Sequence, residues 1–142
     1  YAGQILRTIT VGADATPLFK DLHDVAMEAF DKICTVLKPG TRPEEIIEAA
    51  TVIEDGGFTT WDDLVHGFGG GYLPPILGSQ SRNIFPVPNM ELQEGMYLVV
   101  QPNVVTKDKQ AGVQTGEMVR ITATGCTPVH KYPRGMKRVD PD

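Results

Sequence analysis

Cysteine, clustered positive charge and long apolar runs are all scarce in this chain. Cys34 and Cys126 lack the close spacing of a metal or redox motif, so we expect two isolated, reduced packing residues. Lys and Arg total 13 against 18 Asp and Glu, and the only basic cluster is in the tail. A nucleic-acid partner is therefore not expected. No apolar run approaches the roughly 20 residues of a membrane span, which favours a cytoplasmic protein without a membrane partner.

The length and composition allow one globular domain. The chain has 142 residues, 41% of them hydrophobic and 22% charged, enough for one core but not for two. At the start, Ile5, Ile9 and Val11 alternate with polar residues, as in a half-buried strand already in progress. We therefore expect a fragment of a longer protein.

Two amphipathic helices are predicted next. Thr16 is a good N-cap before Pro17, and apolar residues recur at helical spacing as far as Leu37. After Lys38-Pro39-Gly40, the segment Thr41-Arg42-Pro43-Glu44 fits a capping box for a second helix, which Gly56-Gly57 ends. His23, on the first helix, is expected at the surface.

From Phe58 onward the pattern favours strands and loops. His66 opens a glycine-rich run that we interpret as a long loop through Pro74-Pro75 to Ser81. A buried strand is predicted over 96–101, and 112–122 is predicted as one continuous partner strand. Helices that are separate in sequence from antiparallel strands predict an α+β domain.

His66 is the natural candidate for chemistry, but carboxylates are missing around it. Histidine is a good first metal ligand, whereas divalent ions also need anionic oxygen, which a glutamine amide supplies only weakly. The positions discussed below as its partners are Gln4 and Gln101.

The landmarks from the first helix through Lys38-Pro39-Gly40, His66-Gly67, Pro74-Pro75, Gln101-Pro102 and Gly112-Val113 resemble, in order and spacing, the pita-bread metallopeptidase family. Its members include prolidase, aminopeptidase P, methionine aminopeptidase and creatinase. The resemblance implies that residues 1–142 are the C-terminal portion of one pita-bread catalytic domain, with two helices packed on a curved antiparallel sheet. It also implies that the N-terminal arm domain and the first part of the sheet are not in this chain.

Metal-dependent members hold two divalent ions with two aspartates, one histidine and two glutamates. Carried over residue by residue, the second aspartate corresponds to Gln4, the histidine to His66 and the first glutamate to Gln101. The second glutamate corresponds to Gly116, with Glu117 adjacent to it. The first aspartate would precede Tyr1. The resemblance therefore implies that no dinuclear metal is retained, and that a Mn, Co or Zn ion, if there is one, has only His66 and Glu117 as ligands.

Two functions remain open at this point. The first is hydrolysis of a peptide or another C–N bond, of the Xaa-Pro peptidase or creatinase type, without a dinuclear site. His66 and Glu117 are the expected catalytic residues, and Gln4, Gln101, Gln114 and Tyr72 would bind a peptide or small-molecule substrate. The second is a catalytically inactive module used for binding or dimerisation, and family resemblance implies a homodimer. His130 is expected to lie in a surface tail.

Overall fold

The computed structural model describes residues 2–141. A 20-residue helix is the main packing element: Thr16 Oγ1 accepts a hydrogen bond from the amide of Phe19, and Pro17 takes the first helical position. Its buried face contributes Leu22, Ala26, Ala29, Phe30 and Ile33 to the core. The helices are α1 (Pro17–Val36), α2 (Pro43–Ala49) and α3 (Val52–Asp55). None of these three, within the described residues, is long and apolar enough to cross a membrane.

The second predicted helix differs from the sequence interpretation at both ends. Its N-cap is Arg42 rather than Thr41, because the Glu45 carboxylate accepts a 2.8 Å hydrogen bond from the Arg42 amide. The Thr41 hydroxyl instead donates to the Val36 carbonyl and ties the new helix to the end of α1. The helix also breaks at Ala50 and Thr51, so that α2 and α3 are two short helices.

A six-stranded sheet lies against the helices, and two small sheets flank it. The strands are β1 (Ile5–Leu6), β2 (Ile9–Val11), β3 (Val65–Phe68), β4 (Tyr72–Leu77), β5 (Tyr97–Val100), β6 (Asn103–Val105), β7 (Gly112–Gln114), β8 (Gly116–Ile121), β9 (Cys126–Pro128) and β10 (Lys137–Val139). The order of the large sheet is β1-β8-β5-β3-β4, β9 also pairs with β8, and every pairing in it is antiparallel. The small sheets pair β2 with β10 and β6 with β7. The α+β class predicted from sequence is confirmed.

Three strand predictions were wrong in detail. The first half of the expected long loop is β4, an antiparallel partner of β3. The expected single strand over 112–122 divides at Thr115 into β7 and β8, which join different sheets. The apolar side chains of the first strands, at positions 5, 9 and 11, are exposed rather than inward-facing. Periodicity reports alternation, but it cannot reveal which strand is the partner.

Strand register divides the sheet into two faces. Leu98 lies opposite Val119 on the neighbouring strand, and Val100 lies opposite Glu117. Leu98, Val100 and Val119 belong to the same buried core as the side chains of α1, so this is the helix face. Successive residues on a strand point to opposite faces, so the residues between them form a second face, called here the open face.

Candidate functional site

The open face gathers four of the positions singled out from sequence. His66 lies opposite Val99, and Val99 lies opposite Met118, which places these three residues in one row across β3, β5 and β8. Gln101 follows β5 with the same alternation as Val99. Gln4 precedes β1, and its carbonyl accepts a hydrogen bond from the Met118 amide at 2.9 Å. The positions aligned with family metal ligands therefore converge on one face.

His66 is a neutral base. Its Nδ1 lies 2.9 Å from the Gly67 carbonyl oxygen, which can only accept, so Nδ1 carries the proton and Nε2 carries the lone pair. Nε2 is buried and has no hydrogen-bond partner among the described residues. Burial is the main cause that lowers the pKa of His66, although the Gly67 carbonyl, the charge of Asp62 and the nearby Gln101 amide partly offset it.

Tyr72 covers this histidine. The two rings stack with centroids 3.8 Å apart and planes 15° apart, and the imidazole is left with no exposed surface. Tyr72 itself is half exposed. Phe68, whose ring centroid is 6.1 Å from that of His66, lines a mostly apolar cavity of about 500 Å³ together with Tyr97 and Met118. The base therefore lies beneath a tyrosine lid, beside an apolar cavity.

Three side chains form a hydrogen-bonded chain on the open face. Gln4 Nε2 donates to Gln101 Oε1 at 2.5 Å, and Gln101 Nε2 donates to Asp63 Oδ2 at 3.1 Å. A carboxylate only accepts, so Asp63 fixes the orientation of the first amide and, through it, that of the second. Asp63 is 5% exposed, and burial together with the adjacent Asp62 raises its pKa to about 6.

Gly116 makes this chain possible. It lies on β8, between the strands that supply Gln4 and Gln101. Its φ of 150° falls in the region that favours glycine, and a Cβ there would lie 2.0 Å from the Val100 carbonyl oxygen and 2.7 Å from Gln101 Cα. No side chain fits at this position without moving the backbone, so the two amides meet across a strand that offers no ligand.

Glu117 does not join His66. It lies opposite Val100, on the helix face, and is 2% exposed. Its Oε2 is 3.0 Å from Arg7 Nη2, and its Oε1 is 3.9 Å from Arg134 Nε. The expectation that Glu117 orients His66 or shares a metal with it is therefore corrected: consecutive strand residues face opposite ways, and the shift in register that would bring Glu117 round does not occur.

Gln114 shares the open face by alternation through residues 114, 116 and 118, at the far end from Tyr72. It is half-buried, and its side chain forms no hydrogen bond to another described residue. Of the predicted substrate-binding residues, Gln4 and Gln101 are thus in direct contact, Tyr72 contacts His66, and Gln114 stands apart.

Two histidine expectations and one cysteine expectation also change. His23 is buried at 6% exposure rather than at the surface. His130 is half-buried, and its ring lies against Gly3, so the tail returns to the edge of the open face. Cys34 and Cys126 are neighbours, since the Cys126 thiol lies 3.7 Å from the Cys34 carbonyl oxygen. The contacts of His130 with Gly3 and of Cys126 with Cys34 join residues that are distant in sequence.

Helices packed on one face of this antiparallel sheet make an α+β fold of the pita-bread type. The model of Metallopeptidase family M24 matches residues 1–123, and the chain belongs to that family. This confirms the resemblance and the fold predicted from sequence. Among curated proteins none matches significantly.

Solved structures agree on the fold. The chain superimposes on the prolidase from Pyrococcus horikoshii OT3 with a TM-score of 0.73 and 26% identity, covering 92% of this chain and 36% of that one. The dipeptidase PepE from Mycobacterium ulcerans gives 0.77 at 18% identity, covering 96% and 35%. The methionine aminopeptidase from Rickettsia prowazekii gives 0.67 at 23%, covering 82% and 54%. The chain thus spans about a third to a half of these relatives.

The residues present do not fit the metal centre that this family generally uses. Among residues 2–141, no group of three or more His, Cys, Asp or Glu side chains is placed to hold an ion. Gln4 and Gln101 supply neutral amides instead of carboxylates, and Gly116 supplies no side chain. The Gln101 oxygen already accepts a hydrogen bond from Gln4. Replacing two carboxylates by amides removes about two negative charges, each worth several kcal/mol to a dication at ~4 Å.

Sequence reasoning missed Asp63 and Arg7. Asp63 precedes His66 by three residues in an ordinary polar turn, and nothing in its neighbourhood signals a contact with Gln101. Arg7 is one of the polar residues that alternate with Ile5 and Ile9, and this pattern does not indicate its partner. A buried carboxylate at Glu117 does demand a cationic partner, and the Arg7 guanidinium supplies one. That demand was the one available signal for it.

Proposed function

We propose that the protein hydrolyses a C–N bond of a peptide or small polar amide, in the manner of Xaa-Pro peptidases and creatinase, without a dinuclear metal. The observation that carries this proposal is His66: a neutral imidazole whose buried Nε2 lone pair has no hydrogen-bond partner within the described part of the chain. A buried base with a lowered pKa remains unprotonated at neutral pH and is ready to take a proton from a water or a substrate.

The other open-face residues suit substrate binding. Gln4 and Gln101 offer amide groups on the same face as His66, and Gln114 offers a third farther along it. Because Tyr72 leaves no imidazole surface exposed, the ring must move for a substrate to reach Nε2. We assign Tyr72 as a lid that packs on the substrate, and Glu117 as a structural residue rather than a catalytic one.

We also propose the place of this chain in the full-length protein and its oligomeric state. The chain covers only part of each relative, and by family resemblance we propose that it is the C-terminal part of a pita-bread catalytic domain. By family resemblance we propose a cytoplasmic homodimer. Size-exclusion chromatography with light scattering on the protein in its natural full length tests the dimer, and a single-subunit mass would contradict it.

The test of catalysis compares two buried histidines. His66→Gln in the full-length protein should abolish turnover of Xaa-Pro dipeptides or small amides. His23→Gln should leave turnover unchanged, although His23 is also buried, its Nε2 has no hydrogen-bond partner among residues 2–141, and burial lowers its pKa too. Turnover should persist in excess chelator, and added Mn²⁺, Co²⁺ or Zn²⁺ should not raise it. Activity that disappears with chelator would overturn the metal-free mechanism.

A second candidate is a catalytically inactive module used for binding. The specific observation in its favour is Glu117, since this carboxylate is committed to Arg7 on the helix face and so leaves His66 without a second acid or base from β8. Under this candidate the wild-type protein turns over none of these substrates, and His66→Gln changes only ligand binding.

A further inference from the structure

We infer that Asp63 is a positioning residue that makes this site selective for ligands rich in N–H donors, such as amidinium or guanidinium groups. The inference rests on the proposed function only in taking the open face to be a substrate site. It adds the chemical class of the group that the site takes.

The hydrogen-bonded chain from Asp63 to Gln4 has one direction. Gln101 Nε2 lies 3.1 Å from Asp63 Oδ2 and 3.4 Å from the Asp63 carbonyl oxygen, and both of these atoms are acceptors. The amide nitrogen must therefore face Asp63, and the amide oxygen must face the other way. Gln4 meets that oxygen with its own nitrogen, so Gln4 Oε1 is left at the end of the chain, with no partner among residues 2–141.

This direction presents hydrogen-bond acceptors to a ligand. Gln101 Oε1 has a second lone pair, and Gln4 Oε1 has no partner among the described residues. His66 Nε2 carries a lone pair because its other nitrogen donates to Gly67. All three atoms are acceptors. A carboxylate or phosphate would find no donor among them, whereas a planar group with several N–H bonds can satisfy more than one at once.

Asp63 also brings negative charge to the site, and Asn103 holds it in position. Asp63 is one of the few buried carboxylates, and the chain has no cation within hydrogen-bonding contact of it among the described side chains. Its negative charge, with that of Asp62 beside it, polarises the two amides so that their oxygens attract a cation. Asn103 holds this turn in place, because its Nδ2 donates to the Asp63 carbonyl at 2.9 Å and its Oδ1 accepts from the Asp62 amide at 2.8 Å.

The apolar cavity beside His66 suggests the probe. Benzamidine carries an amidinium on an aromatic ring, benzoate replaces it with a carboxylate of the same shape, and benzamide is the neutral intermediate case. By calorimetry on the full-length protein at moderate salt, benzamidine should bind at least about tenfold more tightly than benzoate, with benzamide between them. In ¹⁵N spectra, benzamidine alone should shift the His66 Nε2 resonance.

Variants separate orientation from net charge. Asp63→Leu removes the acceptor and should reduce the benzamidine-to-benzoate ratio to near one. Asp63→Asn retains an acceptor oxygen and should preserve most of the ratio. Asp62→Asn removes the same charge one residue away, leaves the amide chain intact and should change the ratio little. If Asp63→Leu does not fold, the two Asn variants and the binding of the three probes to the wild-type protein still test the inference.

Three outcomes would overturn the inference: benzoate binding as tightly as benzamidine, no binding of either, or a ratio that falls to near one in Asp62→Asn or Asp63→Asn, which would make net charge rather than amide orientation its cause. Benzamidine binding does not require turnover. Loss of this binding in a protein that still hydrolyses dipeptides would refute the ligand class alone, while binding without turnover would refute only the hydrolase proposal.

Discussion

Restoring a family carboxylate by Gln101→Glu should create a pH-dependent instability. The new carboxylate would lie about 3 Å from Asp63, where Gln101 Nε2 now lies 3.1 Å from Oδ2. Two ionised carboxylates at that distance repel by about 5 kcal/mol at an effective dielectric of 20. Protonating Asp63, whose pKa is raised to about 6, costs only about 1.4 kcal/mol at pH 7. The variant should therefore hold one shared proton.

The size of the effect follows from that proton. Above pH 6 the folded variant holds one proton that its unfolded chain releases, so its stability falls with rising pH relative to wild type. Holding this proton lowers the free energy of unfolding, relative to wild type, by little at pH 6, by about 1.4 kcal/mol at pH 7 and by about 3 kcal/mol at pH 8. Below pH 6 wild-type Asp63 is itself protonated, so the difference should largely disappear.

Urea unfolding followed by circular dichroism at pH 5, 6, 7 and 8 measures this difference. The matched control is Gln114→Glu, the same substitution on the same face at a half-buried residue whose side chain forms no hydrogen bond to residues 2–141. Its free energy of unfolding should change by a similar amount at every pH. A pH-independent loss in Gln101→Glu, or the same slope in both variants, would refute the contact between Gln101 and Asp63.

Three other predictions concern the support of the site. Arg7→Met should cost about 3–5 kcal/mol by leaving Glu117 buried without its main partner, and adding Glu117→Gln should recover part of the loss in chemical unfolding; a loss below 1 kcal/mol would contradict the buried pair. Gly116→Ala should cost more than about 3 kcal/mol because its Cβ meets backbone, whereas Gly70→Ala, with positive φ but open space, should cost about 1 kcal/mol; equal melting temperatures would count against the close approach. In the wild type, stability should fall as the pH rises from about 4 to about 6, by at most about 3 kcal/mol, because burial lets the folded state retain a proton that the unfolded chain releases. Asp63→Asn should remove this fall, and an unchanged pH profile would show that Asp63 is not the group that causes it.

Local signals in the sequence predicted much of the architecture. The cap at Thr16 and the apolar stripe of α1 specify that helix almost to the residue, because both depend on neighbours within one or two turns. The buried run that ends at Gln101 specifies β5 for the same reason. The alignment of Gln4, His66 and Gln101 needed only the order and spacing of landmarks along the chain.

The remaining errors have one physical cause. The face that a strand residue occupies depends on register with strands tens of residues away, and a shift of one residue reverses it. Glu117 was adjacent in sequence to the expected ligand position and still lies on the opposite face. His23 was expected at the surface, but the fold buries it.

By itself the sequence determined the fold family, the main helix and the absence of carboxylates at the aligned positions 4, 101 and 116. Only the tertiary structure decided what replaces them. Gly116 offers no side chain, so Gln4 and Gln101 join across its strand, and a carboxylate 38 residues earlier in the chain than Gln101 sets the direction of both amides. Hydrogen-bond direction depends on which donor meets which acceptor in space, and the linear order of residues does not encode that pairing.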